Sequence, residues 1–255
     1  MKNKTVLGID IGGSGIKGAI VDVESGKLAS DRIRITTPKP ATPEAVADTI
    51  NEICKTLKWK GPIGCGFPGV VQNGISKTAA NIDDGFIDLN VEKLIAGKTG
   101  SSNVVVLNDA DAAGIAEMKF GAGRKEKGVV MVFTVGTGIG TVMFTKKKLV
   151  SNCELGHLWL PEANGESEKW MSDGARKKYK LEWDEWMDRI GKYMRYVEDL
   201  FWPELMIVGG GFSKKMDNNS KAFGTRCPVI PAALKNEAGI IGAAIAAAKN
   251  KKKKK

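Results

Sequence analysis

LGIDIGGSGIKGAIVDV, residues 7–23, is the stretch on which the reading of the fold turns. Gly12, Gly13 and Gly15 fall within four positions directly after an apolar run, as in a loop that grips phosphate. A dinucleotide fingerprint would require those glycines to open a helix. Here Ile16 to Val23 is β-branched, interrupted by Gly18 and closed by the turn signal Glu24-Ser25-Gly26, which predicts a second strand. The Gly-Lys-Ser/Thr ending of a Walker loop is missing as well. The stretch therefore predicts a β-hairpin whose Gly-Gly-Ser-Gly bend presents successive backbone N–H groups, a concave array that binds anions without a helix dipole. Taken alone, the same residues also suit an ordinary hairpin turn.

The pattern returns half a chain later. GVVMVFTVGTGIGTVMFTKKKLV, residues 128–150, reads as strand, glycine turn, strand and lysine hairpin. Two copies of one motif, each introducing an α/β unit, predict two related domains facing each other across a cleft. Between the copies the sequence predicts a strand over 29–36 and a helix over 43–57, the helix opened by a Thr42 N-cap and Pro43. Next come a strand ending in the Phe67-Pro68-Gly69 turn, a loop region rich in Asn and Asp that carries Asn81, a buried strand over 104–107, and a helix from Asp109 to Lys119. After the second copy, Trp183, Trp186, Met187, Ile190, Met194, Val197 and Phe201 recur at helical spacing, a stripe suited to a core or a dimer surface. A further strand runs into Gly209-Gly210-Gly211, and a small-residue helix that can pack closely on a neighbour closes the pattern.

Composition narrows the class. The 255 residues are 42% hydrophobic and 27% charged, with no apolar run long enough to span a membrane and no signal-peptide core after Met1. Cys54, Cys65, Cys153 and Cys227 are widely spaced, which fits free thiols in the cytoplasm. The net charge of +10 falls by six, to about +4, when Lys249 and Lys251 to Lys255 are set aside as a solvated tail.

Asp109 follows a buried strand and begins a helix, so the dipole favours an ionised carboxylate able to accept a hydroxyl proton, although an N-cap would read the same way. Asp111, two residues on, should point elsewhere and cap or face solvent. Asn108, Asn81, Glu154 and His157 supply amide, carboxylate and imidazole groups suited to the hydroxyls of a sugar, while a lone histidine also suits a structural role. With glycine loops at 12–15 and 136–140, the set contains the parts of a phosphoryl-transfer site.

The ordered motifs DIGGSGIKGAIVD, GFPGVV, AANID, LNDADAAGIAE, VGTGIG, ELGH and IVGGGFS resemble the ROK family of sugar kinases, in the sugar kinase and actin-like ATPase superfamily. TPKPATPEAVADTI, TAANID and PVIPAALKNEAGIIGAA are similar to its polyphosphate-using glucokinases in particular. The resemblance covers nearly the whole chain and is weakest over 161–180. It implies an α/β fold of two ribonuclease-H-like (actin-like ATPase) domains flanking a cleft, residues 1–107 plus 239–255 and residues 108–238. It implies phosphorylation of glucose at the 6-hydroxyl with polyphosphate, ATP or both. Asp109 would be the base. Gly69, Asn81, Asn108, Glu154 and His157 would bind the sugar. Asp10, Gly12, Gly13, Ser14, Gly15, Lys17, Gly136, Thr137 and Gly138 would bind phosphate, with Mg2+ on Asp10 through water, and Gly209, Gly210 and Gly211 would meet a nucleotide. A homodimer is expected, with no nucleic-acid or membrane partner. A kinase for another hexose and a non-catalytic sugar sensor are the alternatives.

Many ROK proteins follow the ExGH segment with a cysteine-rich zinc motif, but only Cys227 lies downstream of His157 here, so no zinc is expected. Basic clusters at Lys17, Arg124 to Lys127, Lys146 to Lys148, and Lys214 with Lys215 suggest a track for a polyanionic donor, or a solubilising surface.

Overall fold

The computed structural model describes residues 4–216 and 223–249; Lys251–Lys255 and the Lys214 side chain lie outside them. The chain begins as the opening motif predicts. Strands β1 (Thr5–Gly12) and β2 (Gly15–Asp22) form an antiparallel hairpin with Gly12 opposite Gly15. Of the strand expected over 29–36 only β4 (Ile33–Ile35) forms, and β3 (Lys27–Leu28) precedes that span; both pair with β2. Between them the Ser30 hydroxyl accepts from the Ile20 N–H at 2.9 Å, so a side chain replaces the strand ladder there.

Helix α1 (Pro43–Thr56) starts at a Thr42 cap that accepts from the Ala45 N–H, with proline in the first turn. Strands β5 (Ile63–Phe67), β6 (Val71–Gln72) and β7 (Ile75–Ser76) follow. The region read as loop contains helix α2 (Val91–Thr99), capped by Asn90 and ended by Gly100 at φ 70°. Strand β8 (Val104–Asn108) runs directly into α3 (Asp109–Phe120).

The second copy consists of β9 (Val129–Val135), β10 (Ile139–Thr145) and β11 (Lys148–Val150). Short strands β12 (Trp159–Leu160) and β13 (Gly165–Glu166) lead to helices α4 (Glu168–Met171), α5 (Asp173–Tyr179) and α6 (Trp183–Phe201). Strands β14 (Leu205–Gly210) and β15 (Val229–Pro231) precede the last helix, α7 (Ala238–Lys249). Among the described residues no helix is long and apolar enough to cross a membrane.

Two compact units result, residues 1–116 with 237–255, and residues 117–236. Their sheets repeat one plan. The first is ordered β3-β2-β1-β5-β8, with β5 and β8 parallel to β1; the second is ordered β11-β10-β9-β14-β15, with β14 parallel to β9 and β15 parallel to β14.

In the first unit, Leu7, Ile9 and Ile11 pack with Ile50 and Ile53 of α1. The opposite face of the sheet meets α7 at backbone distance. A Cβ on Gly8 would stand 2.0 Å from the Ile240 carbonyl oxygen, and one on Gly64 1.9 Å from that of Ala243, so this small-residue helix fits only over glycine. The core of the second unit gathers Met131, Phe133, Trp186, Tyr193, Met206 and Phe212. Trp183 stacks on Phe212 at 5.1 Å and Trp186 meets the same ring edge-on at 4.9 Å, so the helical stripe of α6 is core.

Candidate functional site

The carboxyl ends of parallel strands collect the polar residues of the first unit. In sheet register Asp10 of β1 stands beside Gly66 of β5, and Gly66 beside Leu107 of β8; Asn108 and Asp109 follow immediately. With strands about 4.8 Å apart, the β1 and β8 ends are separated by about 10 Å. Gly66 contributes no side chain between them, and a Cβ there would already be 3.3 Å from the Asp109 Cα. On its other side Asp10 pairs with Lys17, and Lys17 with Arg34 of β4, giving a transverse row Arg34–Lys17–Asp10. Lys17 Nζ donates to Asp10 Oδ2 at 2.9 Å, so this lysine neutralises the carboxylate beside it.

The glycine bend lies next to this row. Arg34 Nη2 donates to the Ser14 carbonyl at 3.2 Å, and its guanidinium lies so close over the bend that a Cβ on Gly15 would be 2.8 Å from Nε. Arg34 is exposed, and it is the residue that reading the motif alone missed: the cation comes from a neighbouring strand rather than from the loop. Asn81, left-handed at φ 58°, brings its carbonyl to within 3.0 Å of where a Gly13 Cβ would be. The sugar-side candidate and the glycine bend are therefore adjacent in this unit.

Asp109 opens α3, its Oδ1 accepting from the Ala110 N–H at 2.7 Å. The N-cap contact is made by Asn108, whose Oδ1 accepts from the Asp111 N–H at 3.1 Å while its Nδ2 donates to the Gly69 carbonyl at 3.1 Å. Asn108 thus ties the Phe67-Pro68-Gly69 turn to the start of the helix. Asp111 does not face solvent as its spacing suggested; it is 1% exposed, because this side of α3 packs into the unit.

The second unit repeats the arrangement with different chemistry. The bend at Gly136, Thr137 and Gly138 joins β9 to β10, with Thr137 exposed and open space beyond the Gly136 Cα. Gly210, in register with Val135, has φ 79° and lies against the Val135 carbonyl, to which the Gly211 N–H donates at 3.0 Å. Gly209, Gly210 and Gly211 therefore share one sheet end with the Gly136–Gly138 bend.

The Glu154–His157 segment is strapped to β10. Thr141 accepts from the Leu155 N–H at 2.9 Å and donates to the Cys153 carbonyl, and Tyr193 reaches the Leu155 carbonyl at 3.2 Å. His157 stands 4.0 Å from Glu154 and 3.5 Å from Glu166. Burial holds the Glu154 carboxyl above the usual carboxylate range, an effect that His157 opposes and Glu168 reinforces. Glu166 is held below it, chiefly by Lys169 at 2.9 Å. Glu168 accepts from the Ile139 N–H at 2.8 Å, so a carboxylate rests on the second glycine bend. Neither Glu166 nor Glu168 carries a sequence signal; both lie where the resemblance is weakest.

The basic clusters differ in how near they lie to the bend of their own unit. Lys17 adjoins the first bend, whereas Arg124 to Lys127 and Lys146 to Lys148 lie at the far end of the β9–β10 hairpin from the second. Among the described residues, no group of three or more His, Cys, Asp and Glu is placed to hold a metal ion.

Glycine hairpins at corresponding strand ends of two repeated sheets, with a carboxylate opening the helix after β8 in the first, define a duplicated α/β fold of the phosphotransferase class. The chain belongs to the ROK family, whose model matches residues 6–169. It is 45% identical to a polyphosphate glucokinase of Mycobacterium tuberculosis over 94% of this chain and 90% of that protein. It is also 45% identical to inorganic polyphosphate/ATP-glucomannokinase of Arthrobacter sp. strain KM, a solved structure that superposes with a TM-score of 0.90 over 96% of this chain and 99% of that one. A ROK family glucokinase of Streptomyces griseus, solved with glucose and AMPPNP, shares the fold with a TM-score of 0.81 at 24% identity, over 96% of this chain and all of that one.

Proposed function

We propose that the protein transfers a phosphoryl group from polyphosphate or ATP to the 6-hydroxyl of glucose, with Asp109 as general base. The observation that carries this reading is the placement of Asp109 at a strand end and helix start, with only β5 between it and the Asp10 row with its glycine bend. The helix dipole favours its charged form. A carboxylate there removes the hydroxyl proton as the oxygen attacks, while backbone N–H groups of the bends and the Arg34 guanidinium neutralise charge on the donor phosphates. Asn81 and the Gly69 turn hold the sugar, with Asn108 fixing the turn. In the second unit Glu154 and His157 hold the sugar hydroxyls, and the bends at Gly136–Gly138 and Gly209–Gly211 receive the donor.

Asp10 would hold magnesium through water, as the single carboxylate of a site completed by phosphate oxygens, with its present partner Lys17 turned to the donor phosphates instead. The ion would shield the transferred phosphoryl group. Zinc has no part in this reading: the one cysteine after His157, Cys227, is buried, and burial together with Glu198 pushes its thiol up to about 12. The glucomannokinase relative supports mannose as a second acceptor. A sugar sensor has no need of Asp109. Tyr196, Leu200 and Trp202 on the exposed side of α6 and just beyond it favour self-association into a homodimer.

Asp109→Asn tests the assignment. Turnover should fall at least ~100-fold while glucose affinity, measured by calorimetry, changes far less. Asp111→Asn, buried and distinct in role, should act on stability rather than on the chemical step. Near-normal turnover in Asp109→Asn would overturn the assignment.

A further inference from the structure

The second unit carries a concentration of positive charge that the transfer reaction does not use. Arg124, Lys125 and Lys127 lie in the loop after α3, and Lys146, Lys147 and Lys148 at the tip between β10 and β11; all six are exposed. The structure brings the two segments together, with Lys147 Nζ donating to the Arg124 carbonyl at 2.6 Å and the Lys146 N–H to that of Gly128 at 3.3 Å. Glu126 is the one carboxylate within them. The adjacent Glu204 is engaged by the Val129 N–H.

Two features make the lysines unfavourable for stability at this place. Six like charges on one surface repel one another. The tip is also a two-residue hairpin turn, Thr145 pairing with Lys148, in which Lys146 and Lys147 both adopt left-handed backbone at φ 50° and 62°. Asn-Gly is the favoured sequence for that turn, and lysine enters it against its conformational preference. The charge sits at a position where an uncharged Asn-Gly pair would fold better.

Distance fixes what the patch can bind. Seven-residue β9 separates it from the Gly136–Gly138 bend, a span of about 20 Å. ATP held at the bend does not extend that far along the strand, whereas a linear polyanion does. We propose that Arg124, Lys125, Lys127 and Lys146–Lys148 form an anchoring site for the distal part of a polyphosphate chain whose reacting end lies at the Gly136–Gly138 bend. This rests on the function proposed above. Such a site raises the affinity of long donors by counterion release and leaves short ones untouched.

The test compares ATP, a short oligophosphate and long-chain polyphosphate as donors to glucose. The wild type is set against two variants: Lys146→Asn with Lys147→Gly, and Arg124→Gln with Lys125→Gln and Lys127→Gln. In both variants KM for long polyphosphate should rise about tenfold at low salt, and its dependence on salt should flatten. KM for ATP and for the short donor should stay within about twofold, since neither reaches the patch. The turn variant, which installs the favoured Asn-Gly pair, should also melt at a higher temperature. Unchanged KM for long chains, an equal loss for all three donors, or binding of single-stranded RNA by the patch with no effect on long-chain KM would each overturn the proposal. If the wild type uses ATP but no polyphosphate of any length, the donor assignment itself fails, a result distinct from the others.

Discussion

The two glycine hairpins occupy equivalent places in sheets of the same order, and they are dressed with opposite charge. The first bend has the Arg34 guanidinium lying on it and a carboxylate, Asp10, already neutralised by Lys17. The second has a carboxylate, Glu168, bonded to its own backbone at the Ile139 N–H. Repetition of a topology supplies two equivalent glycine bends, and the side chains brought in from elsewhere give each its own charge. In the first unit a cation lies on the bend. In the second an internal anion stands on the bend.

This contrast has a sign that mutation can check. Arg34→Ala removes a cation capable of charge-assisted hydrogen bonds, and KM for either donor should rise about tenfold with glucose affinity unchanged. A donor KM that does not move would show the guanidinium to be a mere prop for the turn. Glu168→Gln keeps an oxygen able to accept from Ile139 while cancelling the charge. It should lower donor KM by about threefold, the opposite direction and a smaller effect, because the repulsion acts through solvent. If Glu168→Gln weakens the donor instead, the two bends are electrostatically alike and the contrast collapses.

Much of this organisation is legible in the sequence because it rests on local rules. The hairpins follow from apolar runs broken by glycine, α1 from its Thr-Pro opening, and the close seat of α7 from its alanines and glycines. Helix α2 escapes notice because it is nine residues long, so Val91, Leu94 and Ile95 make a single apolar turn that the neighbouring Asn and Asp outweigh; the Asn90 cap and Gly100 terminator are the further signals. The burial of Asp111 is invisible for a similar reason. Helical geometry separates it from Asp109, but which side of α3 faces the interior is set by long-range packing. Arg34, Glu166 and Glu168 reach the bends and His157 across sheet edges and loops, and no spacing along the chain announces such approaches. The basic clusters were readable as charge, whereas their distance from the glycine bends required the strand between them.

The measurement that bears most directly on the account is the simplest one. Purified protein, magnesium and glucose are combined with polyphosphate free of nucleotides, and separately with ATP, and the product is followed by coupled oxidation of glucose 6-phosphate. The account predicts glucose 6-phosphate from both mixtures, one molecule for each phosphoryl group lost by the donor. Absence of that product with either donor would contradict it.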